Sequence, residues 1–149
     1  MASVTIKVDG LSALGERMRG LSQKVNLKIA RAATNAGAQV VKKAAVRKAP
    51  DSDAPHKLNG VVINPGNLKK NIVVKRVNPA KTQLTSEHLV TVRGKRKDGY
   101  AARYGRLQEW GTVDMAAQPF LRPAFDEQKQ AALAAITKKL ADAITKAGK

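Results

Sequence analysis

Residues 3–8 alternate, with Val4, Ile6 and Val8 on one side and Ser3, Thr5 and Lys7 on the other. That period predicts a short half-buried strand, closed by the Asp9-Gly10 turn. From Leu11 the apolar period lengthens to three or four: Leu11, Leu14, Met18, Leu21, Val25, Ile29, Ala32, Ala36, Val40 and Ala44. This predicts a long helix to Lys48, about 55 Å if continuous, with a possible break at Gly20 and Ser22 and an end imposed by Pro50. Arg17, Lys24, Lys28, Arg31, Asn35 and Lys42 fall within about 60° of arc beside that stripe.

The pattern dissolves between Ala49 and Gly66, where Pro50, Asp51, Asp53, Pro55, Gly60 and Pro65 mark a long loop. Val61-Val62-Ile63 reads as a short strand inside it. Leu68–Val77 and Glu87–Arg93 have β-branched strand character and can pair across 78–86. After the charged turn at 94–99, Tyr100–Trp110 reads as a third strand of a meander. A final helix follows, with Pro123 in its first turn and Asp126 and Glu127 at the favourable end of its dipole. Its stripe is Leu133, Ile136, Leu140 and Ile144, and Lys138, Lys139 and Lys146 load its far end. The expected architecture is one α+β domain over 1–149: short N-terminal strand, long α-helix, antiparallel sheet of three to four strands, C-terminal α-helix, and a long loop at about 49–67.

Composition sharpens this picture. Hydrophobic residues make up 43% of the 149, much of it Ala, and aromatics only 3%. Such a chain leans on helix packing and subunit contacts. It has no cysteine, which excludes disulfides, thiolate chemistry and Cys-based zinc sites. No run approaches the 18 apolar residues of a membrane span, and residues 1–9 lack a signal-peptide core, so the expectation is a protein assembled in the cytoplasm with no membrane partner. The net charge of +17 calls for polyanionic or acidic surroundings.

Candidate chemistry is sparse. His56 and His88 lack a recognisable partner motif, and Asp51 and Asp53 stand two apart in a Pro-rich loop. There is no HExxH, P-loop, GxSxG or strand-linked GxGxxG. The reading therefore assigns no catalytic, cofactor or metal residues and expects no enzyme and no cofactor. Lys69-Lys70 with Lys75-Arg76, and Arg93 with Lys95-Arg96-Lys97, are dense basic clusters without interleaved aromatics. Charge without base-reading groups supports only sequence-independent backbone contact.

The stretch from Tyr104 to Phe125, YGRLQEWGTVDMAAQPFLRPAF, holds the sole Trp, both Phe and one of two Tyr. It reads as a core-forming junction: Phe120, Phe125 and Trp110 packed in the core, Pro119 and Pro123 stiffening the entry to the last helix. Glu109 is expected to pair with Arg103, Arg106 or Arg122, within the subunit or across an interface.

LQEWGT followed by QPFLRPAF resembles the signature of the small tail-component, or tail-completion, proteins of long-tailed phages, the HK97-type gene-product-ten family. The pattern falls on Tyr104, Glu109, Gly111, Thr112, Pro119, Phe120, Leu121, Arg122, Pro123 and Ala124. VDGLSALGERMRGL at the start, Ala49-Pro50 after the long helix, and GNLKKNI at Gly66–Ile72 also fit. The departure is the lengthened loop between Pro50 and Gly66, where the family has a brief Pro-x-x-Thr-Gly segment. The resemblance implies a structural virion protein of the neck or tail, assembled in the host bacterial cytoplasm. It implies a ring, six subunits by tail symmetry, that completes the tail and joins it to the head. The implied partners are the head-closure protein and a tail-tube or tail-terminator protein. The motif residues, with Trp110, are then candidates for the subunit interface. Arg17, Lys24, Lys28, Arg31, Lys69, Lys70, Arg93, Lys95, Arg96 and Lys97 are candidates for weak contact with genomic DNA or an acidic partner. The alternative is a free-standing, sequence-independent basic nucleic-acid-binding protein.

Overall fold

The computed structural model describes residues 11–19, 21, 23–58, 60–77, 85–94 and 100–147, with the side chains of Leu11, Lys24 and Leu58 outside the description. In chain order the elements are α1 (Leu11–Arg19), α2 (Gln23–Lys48), β1 (His56–Leu58), β2 (Val61–Ile63), α3 (Asn67–Asn71), β3 (Ile72–Val77), β4 (Glu87–Val92), α4 (Ala101–Trp110) and α5 (Leu121–Ala147). The architecture is α+β, with two two-stranded antiparallel sheets. The strand expected at 3–8 lies outside the described residues.

The long helix is divided, as the Gly20 and Ser22 signals suggest, and α2 ends two residues before Pro50. Its buried line keeps Ile29 and Ala44 of the predicted stripe but otherwise departs from it. The face turned inward carries Ile29, Ala33, Gly37, Val41, Ala44 and Ala45, about 90° around the helix from the anticipated stripe. Val25 is 37% exposed, and Ala32 is also exposed. Alanine on every side of α2 leaves the period ambiguous, and closeness of approach decides it. The helix packs antiparallel on α5, with Lys48 meeting Glu127 and Gly37 meeting Ile136, where a Cβ would lie 2.7 Å from the Ile136 side chain. Only the Ala33-Gly37 line lets the two backbones come that near. The basic stripe consequently falls on the side away from α5.

The core gathers Ala44, Ala45 and Ala49 from the end of α2, Leu68 of α3, Ile72 of β3, and Phe120 and Ala124 at the start of α5. Phe120 and Ile72 are the largest side chains sealed completely inside. In the β3–β4 pair Ile72 opposes Val92, Val74 opposes Val90 and Arg76 opposes His88. Val90 and Val92 pack against the core, so this face of the sheet looks onto α2. Inside the predicted loop, β1 and β2 form a hairpin in the register His56↔Ile63, Lys57↔Val62, Leu58↔Val61. Gly60, just before β2, sits at φ 78°, a left-handed conformation that glycine adopts freely.

The third strand predicted at Tyr100–Trp110 is a helix. Its buried residues, Ala101, Gly105 and Glu109, recur every four positions, a helical period. Gly105 permits the contact: a Cβ there would stand 3.0 Å from Val92 and 3.3 Å from Leu68. The β propensity of Tyr104 and Trp110 loses to that packing. The last helix starts at Leu121, placing Pro123 in its first turn as expected, but Asp126 and Glu127 lie beyond that turn, which holds no acidic residue.

Candidate assembly surface at the junction of the last two helices

The acid that serves the start of α5 comes from α4. Glu109, 5% exposed, turns its carboxylate across the connecting loop onto the first amides of α5. Its Oε2 accepts from Phe120 N at 2.8 Å and Leu121 N at 2.9 Å, and Oε1 from Arg122 N at 3.1 Å. The Arg122 side chain completes the cage: Nε donates to Oε1 at 3.0 Å, and Nη2 donates to the Glu109 carbonyl at 2.9 Å. A 27-residue helix leaves its first N–H groups without internal partners and carries partial positive charge at that end. One carboxylate answers both demands. Burial by itself raises the Glu109 pKa. The N–H groups of Leu121, Phe120 and Arg122, with the Arg122 guanidinium, outweigh burial, and the net shift is downward.

The loop that carries the chain back is shaped by Gly111, which closes α4 with its N–H on the Leu107 carbonyl at 2.7 Å. Gly111 has φ 73°, and a Cβ there would meet Ala117 N and Met115 O at 2.8 Å each. Thr112 N donates to Met115 O at 2.9 Å, and Gln118 N returns to Gln108 O at 2.7 Å. Pro119 is exposed and Pro123 half-buried. The whole turn from Leu107 to Arg122 is thus tied at both ends and through its middle.

This lock presents Trp110 outward. The expected burial of Trp110 and Phe125 is corrected: they are 67% and 55% exposed, while Phe120 is sealed. The cause is the helix at 101–110, in which burial of Glu109 directs its neighbour to solvent. The Arg122 guanidinium stacks 4.4 Å from the Trp110 ring centroid, so the ion pair also fixes the indole. Val113, fully exposed, extends the apolar edge. A shallow hollow of about 620 Å³ bordered by Arg103, Arg106, Leu107, Trp110 and Gly111 adjoins it.

The structure divides the other sequence candidates. Of the three arginines offered as partners for Glu109, Arg122 is the one it holds. Tyr104 belongs elsewhere: its hydroxyl lies 3.2 Å from His56 Nε2 and the rings meet edge-on at 5.7 Å, pinning the β1–β2 hairpin to α4. Lys69 pairs with Asp51 at 3.3 Å. Arg17, Lys28, Lys70 and Arg93 are exposed and Arg31 is half-buried. Lys95, Arg96, Lys97 and the Lys24 side chain lie outside the described residues. His88 joins Thr34 and Ser86, each within 2.8 Å of the Thr34 hydroxyl. Burial, then the charge of Arg76, lowers its pKa. Asp51, His56 and Thr34 were missed as structural anchors because each acts over a long sequence separation.

Among the described residues no group of three or more His, Cys, Asp or Glu could hold a metal ion, and no helix there is long and apolar enough to cross a membrane. What the junction builds is a turn tied by hydrogen bonds, with Trp110 exposed against the Arg122 guanidinium. Residues 12–111, two thirds of the chain, match the model of the family described as "Bacteriophage HK97-gp10, putative tail-component". The chain belongs to this family of phage tail components. The match takes in Tyr104 to Gly111 and stops short of the Pro119–Phe125 segment. Neither curated proteins nor solved structures give a match.

Proposed function

We propose that this chain is a ring-forming subunit of the phage neck that completes the tail and joins it to the head. The observation that carries the reading is the Glu109–Arg122 lock, which spends a buried charge and five hydrogen bonds on fixing one exposed tryptophan. A ring contact between identical subunits uses two different faces of each. One is the α4–α5 junction, with Trp110, Val113 and the exposed Asp114. The other is the outer face of α2, where Val25, Lys28 and Arg31 offer an apolar residue and the opposite charge. Six copies match tail symmetry, and the neighbours along the axis are a head-closure protein and a tail-tube or tail-terminator protein.

The remaining cations meet genomic DNA weakly as it passes, through salt-sensitive phosphate contacts. Light scattering and electron microscopy of the purified protein, alone and with neck proteins, test the reading. Rings are expected, lost in Trp110→Ala with the fold intact. The charge of +17 favours the second reading, a free-standing nucleic-acid-binding protein. That reading gains if a monomer binds DNA tightly at about 150 mM salt and never forms rings.

A further inference from the structure

At the base of the β1–β2 hairpin, where it meets α4, lies a cavity of about 160 Å³. Its wall takes Tyr104 and Gln108 from α4, four positions apart and so on one face. It takes His56 and Ile63 from the first pair of the hairpin, Leu68 from α3, and Asp51 from the loop before β1. Among the described residues Asp51 is the one carboxylate lining it, and no Lys or Arg does so, in a chain of net charge +17. Asp51 Oδ1 accepts from Gly66 N and Ser52 N. Oδ2 meets Lys69 Nζ at 3.3 Å, a long contact. A carboxylate has about four acceptor positions, so this one has capacity left. The side-chain oxygen of Gln108 is shut off from solvent and has no hydrogen-bond partner among the described residues, a costly state for a buried acceptor. The last torsion of a glutamine is soft, so the amide can turn that oxygen to a donor placed in the cavity. Tyr104 and His56, edge-on at 5.7 Å between ring centroids, add an aromatic side.

We propose that this cavity is a socket for one arginine side chain presented by a partner protein. A carboxylate with spare acceptor capacity and an orphaned amide oxygen call for a ligand that is cationic and donates hydrogen bonds in more than one direction. A guanidinium does both: its edge donates to Asp51 and Gln108 while its face lies on the Tyr104 ring. Ile63 and Leu68 suit the methylenes behind it. A lysine ammonium matches the charge but has no plane to set against the ring. Size points to a side chain, not a free metabolite. The cavity holds about five water molecules, room for a guanidinium and its first methylenes, and falls below the ~300 Å³ at which small-molecule sites begin. The socket does not depend on the ring reading.

The test titrates N-acetyl-arginine amide into the full-length protein and follows amide resonances by NMR. Saturable shifts are expected at Ser52, Gly66 and the Gln108 side-chain NH₂. The citrulline analogue, of the same shape without the charge, and the lysine analogue should each bind at least about tenfold more weakly. Asp51→Asn and Gln108→Leu should each weaken arginine binding by about the same factor, with resonances away from the cavity unchanged. The ligand series uses the parent protein alone, so it decides the matter even if a variant fails to fold. No saturable shift with the arginine probe, equal binding of the citrulline or lysine analogue, or folded variants that bind like the parent would each overturn the proposal.

Discussion

Two carboxylates in this molecule each gather N–H groups across a turn and each pair with a cation, yet they do different work. Glu109 joins α4 to the start of α5. Asp51 accepts from Gly66 N and from Ser52 N, and pairs with Lys69, tying the strand-bearing loop to the turn before α3. The side chain of Glu109 is 6% exposed and that of Asp51 37%. Both pKa values are lowered, that of Asp51 first by Gly66 N–H. Water can replace the partners of Asp51, whereas nothing replaces those of Glu109. The same arrangement is a clamp where solvent is excluded and a loose tether where it is not.

The largest test of that contrast is Glu109→Gln, which places an amide NH₂ against N–H donors and leaves the Arg122 guanidinium without its counter-charge. Thermal or urea unfolding should show a loss of about 2–4 kcal/mol, and a loss indistinguishable from zero would break the comparison. Gly111→Ala comes next: a positive φ and a Cβ pressed against backbone atoms should cost about 1–3 kcal/mol, read the same way. An acid titration sharpens the account further. A carboxylate with a lowered folded-state pKa contributes stability above its ordinary value of 4.5 and loses it as pH falls through the folded value. His88, lowered from 6.5, also favours the folded state when neutral, so its contribution declines first, as pH drops through and below 6.5. Two successive acid losses are expected, and Glu109→Gln should diminish only the lower one, to which Asp51 also contributes. Trp110→Ala should remove about 0.5–1 kcal/mol of cation–π stabilisation from the monomer, while abolishing assembly. Asp51→Asn should change melting least of all.

Much of the helical framework was legible in the sequence. Pro50, the Gly20/Ser22 break and the stripe of the last helix place their elements correctly, as do Val61–Ile63 and the run of β4, whereas the strand predicted at Leu68–Val77 is helical in α3 as far as Asn71 and extended only from Ile72. The α4 helix was not, because Tyr104 and Trp110 favour strands and its inward residues, Ala101, Gly105 and Glu109, carry no apolar periodicity. Asn59-Gly60 was a readable hairpin signal hidden by the prolines around it. Glu109 was legible as a charged partner for Arg122, but not as the cap of α5, since that role depends on ten intervening residues returning the chain. The exposure of Trp110 follows from the same missed helix. The inward line of α2 could not be read from alanines that fit any face.

The central claim is that the α4–α5 junction holds Trp110 ready for a neighbouring subunit. An electron-microscopy map of the parent particle tests it most directly. The account predicts a closed ring of this chain in the neck with Trp110 and Val113 buried at every seam between subunits. A ring whose seams leave Trp110 facing solvent, or a neck that lacks this chain, would contradict it.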